Sequence, residues 1–193
     1  MKRCPGVRVV QGDAENLPFP PDSFDAVFSQ LVLHFVGDPA KAGAEFRRVV
    51  RPGGLAAVCV WDSAHEMEML RHFWDAASSI DDHTPAGAQL LRFGGPGELW
   101  QWLEASGFSE VTERRLDVNS TYADFDELWS GFLLGIGPAG AHCAALADDA
   151  RAALRREFFR RLGSPAGRFT LRACARSATG RLPSSPQPCA PME

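Results

Sequence analysis

The stretch that decides the fold reads VVQGDAENLPF over residues 9–19 and continues as DSFDAV over residues 22–27. A short apolar run ends at a turn that carries an acid, Asp13, and a proline-broken loop leads to a second apolar run. The two runs, 7–11 and 24–29, are too short and too apolar for amphipathic helices. They are therefore predicted to be strands.

A strand–helix–strand unit is predicted to follow this stretch. Asp38 and Pro39 predict a helix start, because aspartate caps helices and proline is preorganised for the first helical position. Pro52-Gly53-Gly54 predicts the end of that helix. The nearly continuous apolar run 55–61 is typical of a strand in a parallel sheet that is covered on both faces.

The rest of the chain alternates between apolar patterns of helical and strand period. Helices are predicted at 66–80, at 98–106, after Asp124 and at 146–162, strands at 111–118 and 169–175, and a loop at 135–140.

Composition and charge exclude several classes of protein. The 193 residues are 45% hydrophobic and 23% charged, an ordinary globular composition, and the net charge of −4 offers no global field for nucleic acid. No apolar run approaches the roughly 20 residues that span a bilayer, and the first six residues are not followed by the apolar core of a secretory signal. The five scattered cysteines form no Cys-x-x-Cys and favour reduced thiols. We therefore expect a cytoplasmic protein with no nucleic-acid and no membrane partner.

A series of short motifs follows in a fixed order: GDAE-LPF (12–19), SFD-V (23–27), Leu33-His34-Phe35, Asp38-Pro39, Arg51-Pro52-Gly53-Gly54 and Trp61-Asp62. This series resembles the class I S-adenosylmethionine (SAM)-dependent methyltransferases, and it is most similar to the small-molecule branch that includes ubiquinone and menaquinone biosynthesis. The resemblance covers residues 7–62 specifically and 63–180 more loosely. It implies a Rossmann-like αβα sandwich whose mixed, mostly parallel sheet has strand order 3-2-1-4-5-7-6.

The resemblance also implies a cofactor site. In the family, the acid at the position of Asp13 accepts a hydrogen bond from the adenine amino group, and the backbone at Ala14 contacts the same ring. Gln30 and Leu31 match the segment that borders the methionine part of SAM and the substrate. A carboxylate suits the adenine amine because it only accepts hydrogen bonds. The alternative for Asp13 is that it merely caps its turn.

His34 is the candidate for a catalytic base, since a histidine pKa suits proton transfer near neutral pH. Transfer of a sulfonium methyl group depends chiefly on alignment, so a base is optional and a structural role for His34 is the alternative. The five histidines show no metal-ligand spacing, and no metal site is predicted. Gly135 to Gly140 fits Gly-x-Gly-x-x-Gly, but that fingerprint requires a preceding strand, whereas residues 125–134 have a helical pattern.

The chain departs from the family pattern at its beginning. The family's first strand, glycine-rich SAM loop and second strand would precede residue 7, so the resemblance predicts an N-terminally truncated fold that lacks the first two strands. The predicted domain is 1–180, with a helical substrate-covering insertion at 124–162 before the last strand, and a disordered tail at 181–193. The strand 7–11 would then lose its neighbours and leave the edge at 24–29 open to self-association. The sheet formed by 24–62, 111–118 and 169–175 should remain continuous.

The expected function is SAM-dependent methyl transfer to a small molecule, impaired by the absence of the glycine-rich loop. The alternative is a non-catalytic methyltransferase-like remnant or truncated gene product.

Overall fold

The fold is built around one four-stranded sheet that is flanked by helices. The computed structural model describes residues 6–62, 66–81, 84 and 91–184. In chain order the elements are β1 (Phe24–Gln30), a 3₁₀ turn (Leu33–Phe35), α1 (Pro39–Val49), β2 (Val50–Trp61), α2 (Glu68–Ile80), α3 (Glu98–Ala105), β3 (Ser109–Tyr122), α4 (Phe125–Leu133), α5 (Gly137–Ala145), α6 (Asp148–Arg161) and β4 (Phe169–Arg181).

The sheet has the order β1-β2-β4-β3. β1 pairs with β2 in parallel, and β4 pairs with both β2 and β3 in antiparallel fashion. This is the order 4-5-7-6 that the resemblance implies, so the predicted continuous sheet is confirmed. The mixed αβα class is confirmed as well, but the described sheet is mostly antiparallel rather than mostly parallel, because its last strand reverses direction between two neighbours.

The predicted strand at 7–11 is wrong, because the segment belongs to no strand. Val7, Val9 and Val10 are 64%, 70% and 40% exposed. A strand needs a neighbour for its backbone hydrogen bonds. In the described residues, no strand precedes β1, and the segment has not moved onto the β1 edge.

Local signals set most helix boundaries. The Asp38 side chain accepts hydrogen bonds from the amides of Ala40 and Lys41, at 3.1 and 3.2 Å, and so starts α1 as predicted. Asp124 starts α4 in the same way, by accepting from the Glu127 amide at 2.9 Å. These caps explain why the two helix starts could be predicted from sequence.

Two predicted turns have a different structure. Arg51 to Gly54 does follow the end of α1, but it forms a bulge within β2, since Phe24 pairs with Val50 and Ala26 with Leu55. The predicted loop 135–140 is wrong from Gly137 onward, because α5 begins at that residue and has a proline in its first turn. α5 has a glycine- and alanine-rich sequence without an amphipathic pattern, which is why the sequence did not reveal it.

Two apolar clusters lie against the sheet. The first joins β2 to α1 and α3 through Phe46, Val58 and Trp102. The second joins α2 to the predicted helical insertion, now α4 to α6, through Phe73, Phe132 and Phe158. The insertion before the last strand is therefore confirmed as a helical layer with its own core.

Residues 185–193 of the predicted tail lie outside the described residues, while β4 continues to Arg181. None of the described helices has the length and apolar character needed to cross a membrane.

Candidate active site at the carboxyl ends of β1 and β2

The carboxyl ends of the two parallel strands lie side by side, since Gln30 of β1 is in register with Cys59 of β2. Gln30 is exposed and Leu31 is half-buried. The Leu31 amide donates to the Cys59 carbonyl at 2.8 Å, which extends the ladder by one bond beyond β1. In open α/β sheets, ligands bind outside the carboxyl ends of the strands. Two of the predicted site residues, Gln30 and Leu31, therefore lie at this edge.

Leu31 adopts an unusual backbone conformation, with a φ of 59°. A side chain other than glycine rarely occupies this left-handed region, and such strained residues often occur at ligand sites. The conformation turns the chain sharply from β1 into the 3₁₀ turn. It supports the prediction that the segment 30–32 is part of a site, and no sequence pattern could have indicated it.

The predicted adenine segment forms a tight turn close to this edge. Asp13 accepts a hydrogen bond from the Glu15 amide through Oδ1 at 2.9 Å, and the Asn16 amide donates to the Asp13 carbonyl at 3.0 Å. Glu15 in turn accepts from the Asp38 amide through Oε1 at 2.8 Å, which places the turn beside the chain that leaves β1. Asp13 thus caps its turn with one oxygen, is exposed, and presents a carboxylate that suits an adenine amine.

His34 is 4% exposed and joins three segments. Its Nδ1 lies 2.5 Å from the Arg92 carbonyl oxygen, and its Nε2 lies 2.9 Å from the Trp61 amide nitrogen. Because a carbonyl accepts and an amide donates, the ring is neutral, with the proton on Nδ1. Burial lowers the pKa of His34 more than the Arg92 carbonyl raises it. Both ring nitrogens are occupied by main-chain groups, which favours the structural role over the catalytic one.

An ion pair fixes the far side of the same edge. Arg176 donates to Asp62 through Nη2 at 2.8 Å and to the Gly94 carbonyl through Nε at 3.0 Å. Asp62 is fully buried and the Arg176 side chain is 11% exposed. A buried pair of this kind costs several kcal/mol to break by removing one partner. It holds the segment after β2 and the segment around Gly94 against β4.

A cavity of about 450 Å³ opens between this edge and the helical insertion. Its walls come from the 3₁₀ turn after β1, from the ends of β2 and β3, from α2, from Leu91 and from α4 and α5. They are mostly apolar and include Phe35, Trp61, Met67, Met69, Leu70, Trp74, Tyr122, Leu128, Phe132 and Ile136. The only carboxylate in the described lining, Glu127, accepts from the Ala123 amide through Oε2 at 2.6 Å. The cavity therefore suits an apolar molecule of moderate size.

The Gly-x-Gly-x-x-Gly match at 135–140 is not a dinucleotide site. It follows helix α4 instead of a strand, as the helical pattern of residues 125–134 predicted. Close packing explains the glycine at position 140, because a Cβ there would lie 2.9 Å from the Gly135 carbonyl carbon. The glycines allow α5 to pack closely against the turn that follows α4.

Among the described residues, one group of potential metal ligands lies elsewhere, near the beginning of α2. Ligand atoms of Glu66, Asp117 and Cys174 lie within 4.8 Å of one another. Arg115 forms ion pairs with both carboxylates, one of them with Asp117 at 2.7 Å. Since the guanidinium already compensates their charges, we interpret the group as an ion-pair network and propose no metal there.

Comparison with known proteins gives a consistent result for this fold. Residues 1–58 match the model of a methyltransferase domain family. The demethylmenaquinone methyltransferase of Paenarthrobacter aurescens is 29% identical over 127 residues, which are 60% of this chain and 50% of the relative. The corresponding enzyme of Clavibacter sepedonicus is 28% identical over 151 residues, 72% of this chain and 58% of the relative. The chain thus spans about half the length of these curated relatives.

Solved structures show the same fold. A provisionally assigned type II methyltransferase of Anaeromyxobacter dehalogenans superposes with a TM-score of 0.58 at 21% identity, over 95% of this chain and 75% of the other. A provisionally assigned methyltransferase of Bacillus halodurans gives a TM-score of 0.54 at 18% identity, over 92% and 78%. The beginning of the chain thus resembles the methyltransferase domain family in sequence, and the described fold is that of class I methyltransferases. The family resemblance of the sequence is therefore confirmed.

Sequence reasoning missed several residues that shape this edge. Trp61 was recognised only as part of a motif, and Met67 and Met69 were not singled out. The buried pair of Asp62 and Arg176 joins residues 114 positions apart, a separation that no local pattern indicates. The segment 92–94 also contributes to this edge, since the Arg92 carbonyl accepts from His34 and the Gly94 carbonyl accepts from Arg176.

Proposed function

We propose that this chain takes part in SAM-dependent methyl transfer to an apolar small-molecule acceptor. The observation that carries the proposal is the cavity of about 450 Å³, which adjoins the carboxyl ends of β1 and β2 and is walled by the helical insertion. Relatives named as demethylmenaquinone and phytyl-hydroquinone methyltransferases support an acceptor of the quinone type.

SAM would supply an activated methyl group on its sulfonium. The described residues fit one side of this cofactor. Asp13 offers a carboxylate for the adenine amine, Ala14 lies half-buried beneath that turn, and Gln30 and Leu31 border the neighbouring strand end. The apolar walls would orient the acceptor and exclude water, and alignment of this kind accounts for much of the rate of such transfers.

Two side chains of the described cavity wall, Glu127 and Tyr122, could in principle remove a proton from the acceptor. The carboxylate, Glu127, is engaged in the cap of α4, and the phenol, Tyr122, has a pKa raised by burial. Burial therefore keeps the Tyr122 phenol from acting as a base near neutral pH, and the Oε2 atom of Glu127 is already engaged by a main-chain amide. We therefore infer an acceptor atom that is nucleophilic without help from a side-chain base in this wall.

A non-catalytic member of the family is the second candidate. The observation that favours it is the open side of β1, where Phe28 is 73% exposed and no described strand continues the sheet. The described residues thus offer the turn at Asp13 for the adenine and the end of β1 for the methionine part, and no described strand lies between these two segments. For the chain of 193 residues we expect weak binding of SAM.

Calorimetric titration with SAM, repeated with Asp13→Ala, separates the candidates. A charge-assisted hydrogen bond is worth about 1.5–3 kcal/mol, so the substitution should weaken binding about tenfold to a hundredfold. Weak, saturable binding that Asp13→Ala lowers would support the methyltransferase. No saturable binding at all would favour the non-catalytic candidate. A micromolar dissociation constant that Asp13→Ala does not change would show that Asp13 is only a turn residue.

A further inference from the structure

The loop between Asp13 and Asp22 runs along α1 from its first turn to its last. Glu15 reaches the Asp38 amide at the beginning of the helix. The Asp22 amide donates to the Arg48 carbonyl at 2.9 Å near the helix end. The loop is therefore docked on a helix and not in the sheet.

Two carboxylates hold this loop from opposite sides. Glu15 belongs to the loop and accepts from a helix-side amide, that of Asp38, at 2.8 Å. Glu45 belongs to the helix and accepts from a loop amide, that of Leu17, through Oε2 at 2.7 Å. The two hydrogen bonds are reciprocal, and each satisfies a main-chain donor with a charged acceptor, which is the stronger class of hydrogen bond.

Arg48 completes the arrangement. Its Nη1 donates to the Phe19 carbonyl at 2.7 Å and its Nη2 to the Leu17 carbonyl at 3.0 Å. The same guanidinium binds Glu45 in bidentate fashion, with both contacts at 2.7 Å. This contact holds the pKa of Glu45 below its usual range. The Glu45 and Arg48 side chains are 15% and 33% exposed, so the pair is partly shielded from solvent.

We propose that Glu15, Glu45 and Arg48 are positioning residues that hold the Asp13–Ala14 turn at the carboxyl edge of β1, and so define the adenine side of the cofactor site. The role of the turn rests on the proposed function, but the hydrogen bonds do not. This arrangement explains how the turn keeps its place although residues 7–11 belong to no strand.

The test compares Glu15→Ala, Glu45→Ala and the conservative Glu15→Gln with a matched control on α6. Glu157→Ala removes a carboxylate that pairs with Arg160 three residues later, as Glu45 does with Arg48, but far from the loop. Amide hydrogen exchange and adenosine binding, by ligand-observed NMR titration, are measured for each variant.

We expect the amides at 15–19 to exchange about tenfold faster or more in both alanine variants, because a charge-assisted bond that closes the loop is lost. The Asp38 amide should respond to Glu15→Ala and the Leu17 amide to Glu45→Ala. Adenosine should bind at least about fivefold more weakly. Exchange at 55–61 should stay unchanged, which separates a local effect from general destabilisation.

Glu15→Gln keeps a carbonyl acceptor for the Asp38 amide and should restore both protection and affinity, whereas Glu157→Ala should change neither. Unchanged exchange in the alanine variants would overturn the arrangement. Faster exchange with unchanged adenosine affinity would overturn its role at the site. If the wild-type chain binds no adenosine, the proposed function and the positioning role both fail, and the exchange data alone decide whether the loop is held as described.

Discussion

The two faces of the sheet differ although the same strands form both. On one face of β2, Ala56, Val58 and Val60 are 0%, 2% and 0% exposed, and α1 and α3 cover them. On the other face, Ala57 and Cys59 are half-buried, and Phe28, in register with Ala57, is 73% exposed. Alternation of side chains along a strand produces this contrast. It shows that pairing with β2 suffices to make β1 a strand, even where one of its faces is not buried.

The largest expected effect is in hydrogen exchange. β2 is paired on both sides, so the amides at 55–61 should exchange only on global unfolding. Residues 7–11 are exposed and belong to no strand, and they should exchange faster by about three orders of magnitude or more. Mass spectrometry of a monomeric sample measures this difference. Strong protection of 7–11 would mean that this segment covers the open side of the sheet.

Two phenylalanines sharpen the contrast between the faces. Phe46 is 5% exposed and packs edge-on against Trp102, with ring centroids 5.6 Å apart. Phe46→Ala should lower the free energy of unfolding by about 3–5 kcal/mol. Phe28→Ala serves as the control and should change it by less than about 0.5 kcal/mol. Denaturant titration measures both, and a large loss for Phe28→Ala would show that its face is buried in solution.

His34 tests the link between the buried face and the candidate site. His34→Leu removes the partners of the Trp61 amide and the Arg92 carbonyl. A buried main-chain group that loses its partner costs about 1–3 kcal/mol, so a loss of about 2–4 kcal/mol is expected. Stability within 0.5 kcal/mol of wild type, by the same denaturant titration, would mean that water replaces both bonds.

The lowered pKa of His34 has a consequence for pH dependence. The unfolded chain takes up the proton first, at about pH 6.5, so the stability from neutral His34 is complete above that pH. It is lost as the pH falls from there toward the folded-state pKa. His34→Leu should therefore show a shallower loss of stability between about pH 6.5 and 5 than wild type. Burial also lowers the pKa of His72, so His72→Gln should flatten the same loss while leaving the His34 hydrogen bonds in place. Unlike His34→Leu, it should not cost the stability that these two hydrogen bonds provide.

The smallest expected effect on stability is that of Phe28→Ser, a substitution that should mainly change self-association of the chain. The open edge of β1 and the exposed Phe28 favour pairing with a second copy of the chain. Phe28→Ser should lower self-association in sedimentation velocity and change the unfolding free energy by less than about 0.5 kcal/mol. Leu116→Ser is the matched control, because Leu116 is 43% exposed on β3 at the opposite edge of the sheet. Equal effects of the two substitutions would contradict a specific role for the β1 edge.

The sequence by itself determined the elements whose causes are local. Asp38 and Asp124 cap the helices that follow them, as predicted. For these two helix starts the signal lies within a few residues, where side-chain capping acts. The motif series, which extends over residues 12–62, also predicted the strand order through its resemblance to a family.

Only the tertiary structure decided the rest. The segment 7–11 has the composition of a strand but no neighbouring strand among the described residues, and a strand requires one for its backbone hydrogen bonds. The structure placed His34 between two main-chain groups and surrounded the cavity with side chains from segments far apart in the sequence. It also brought Glu15 to Asp38 and Glu45 to Leu17. These contacts join residues distant in sequence, and their geometry follows from the packing of α1 and the insertion against the sheet, which no local pattern encodes.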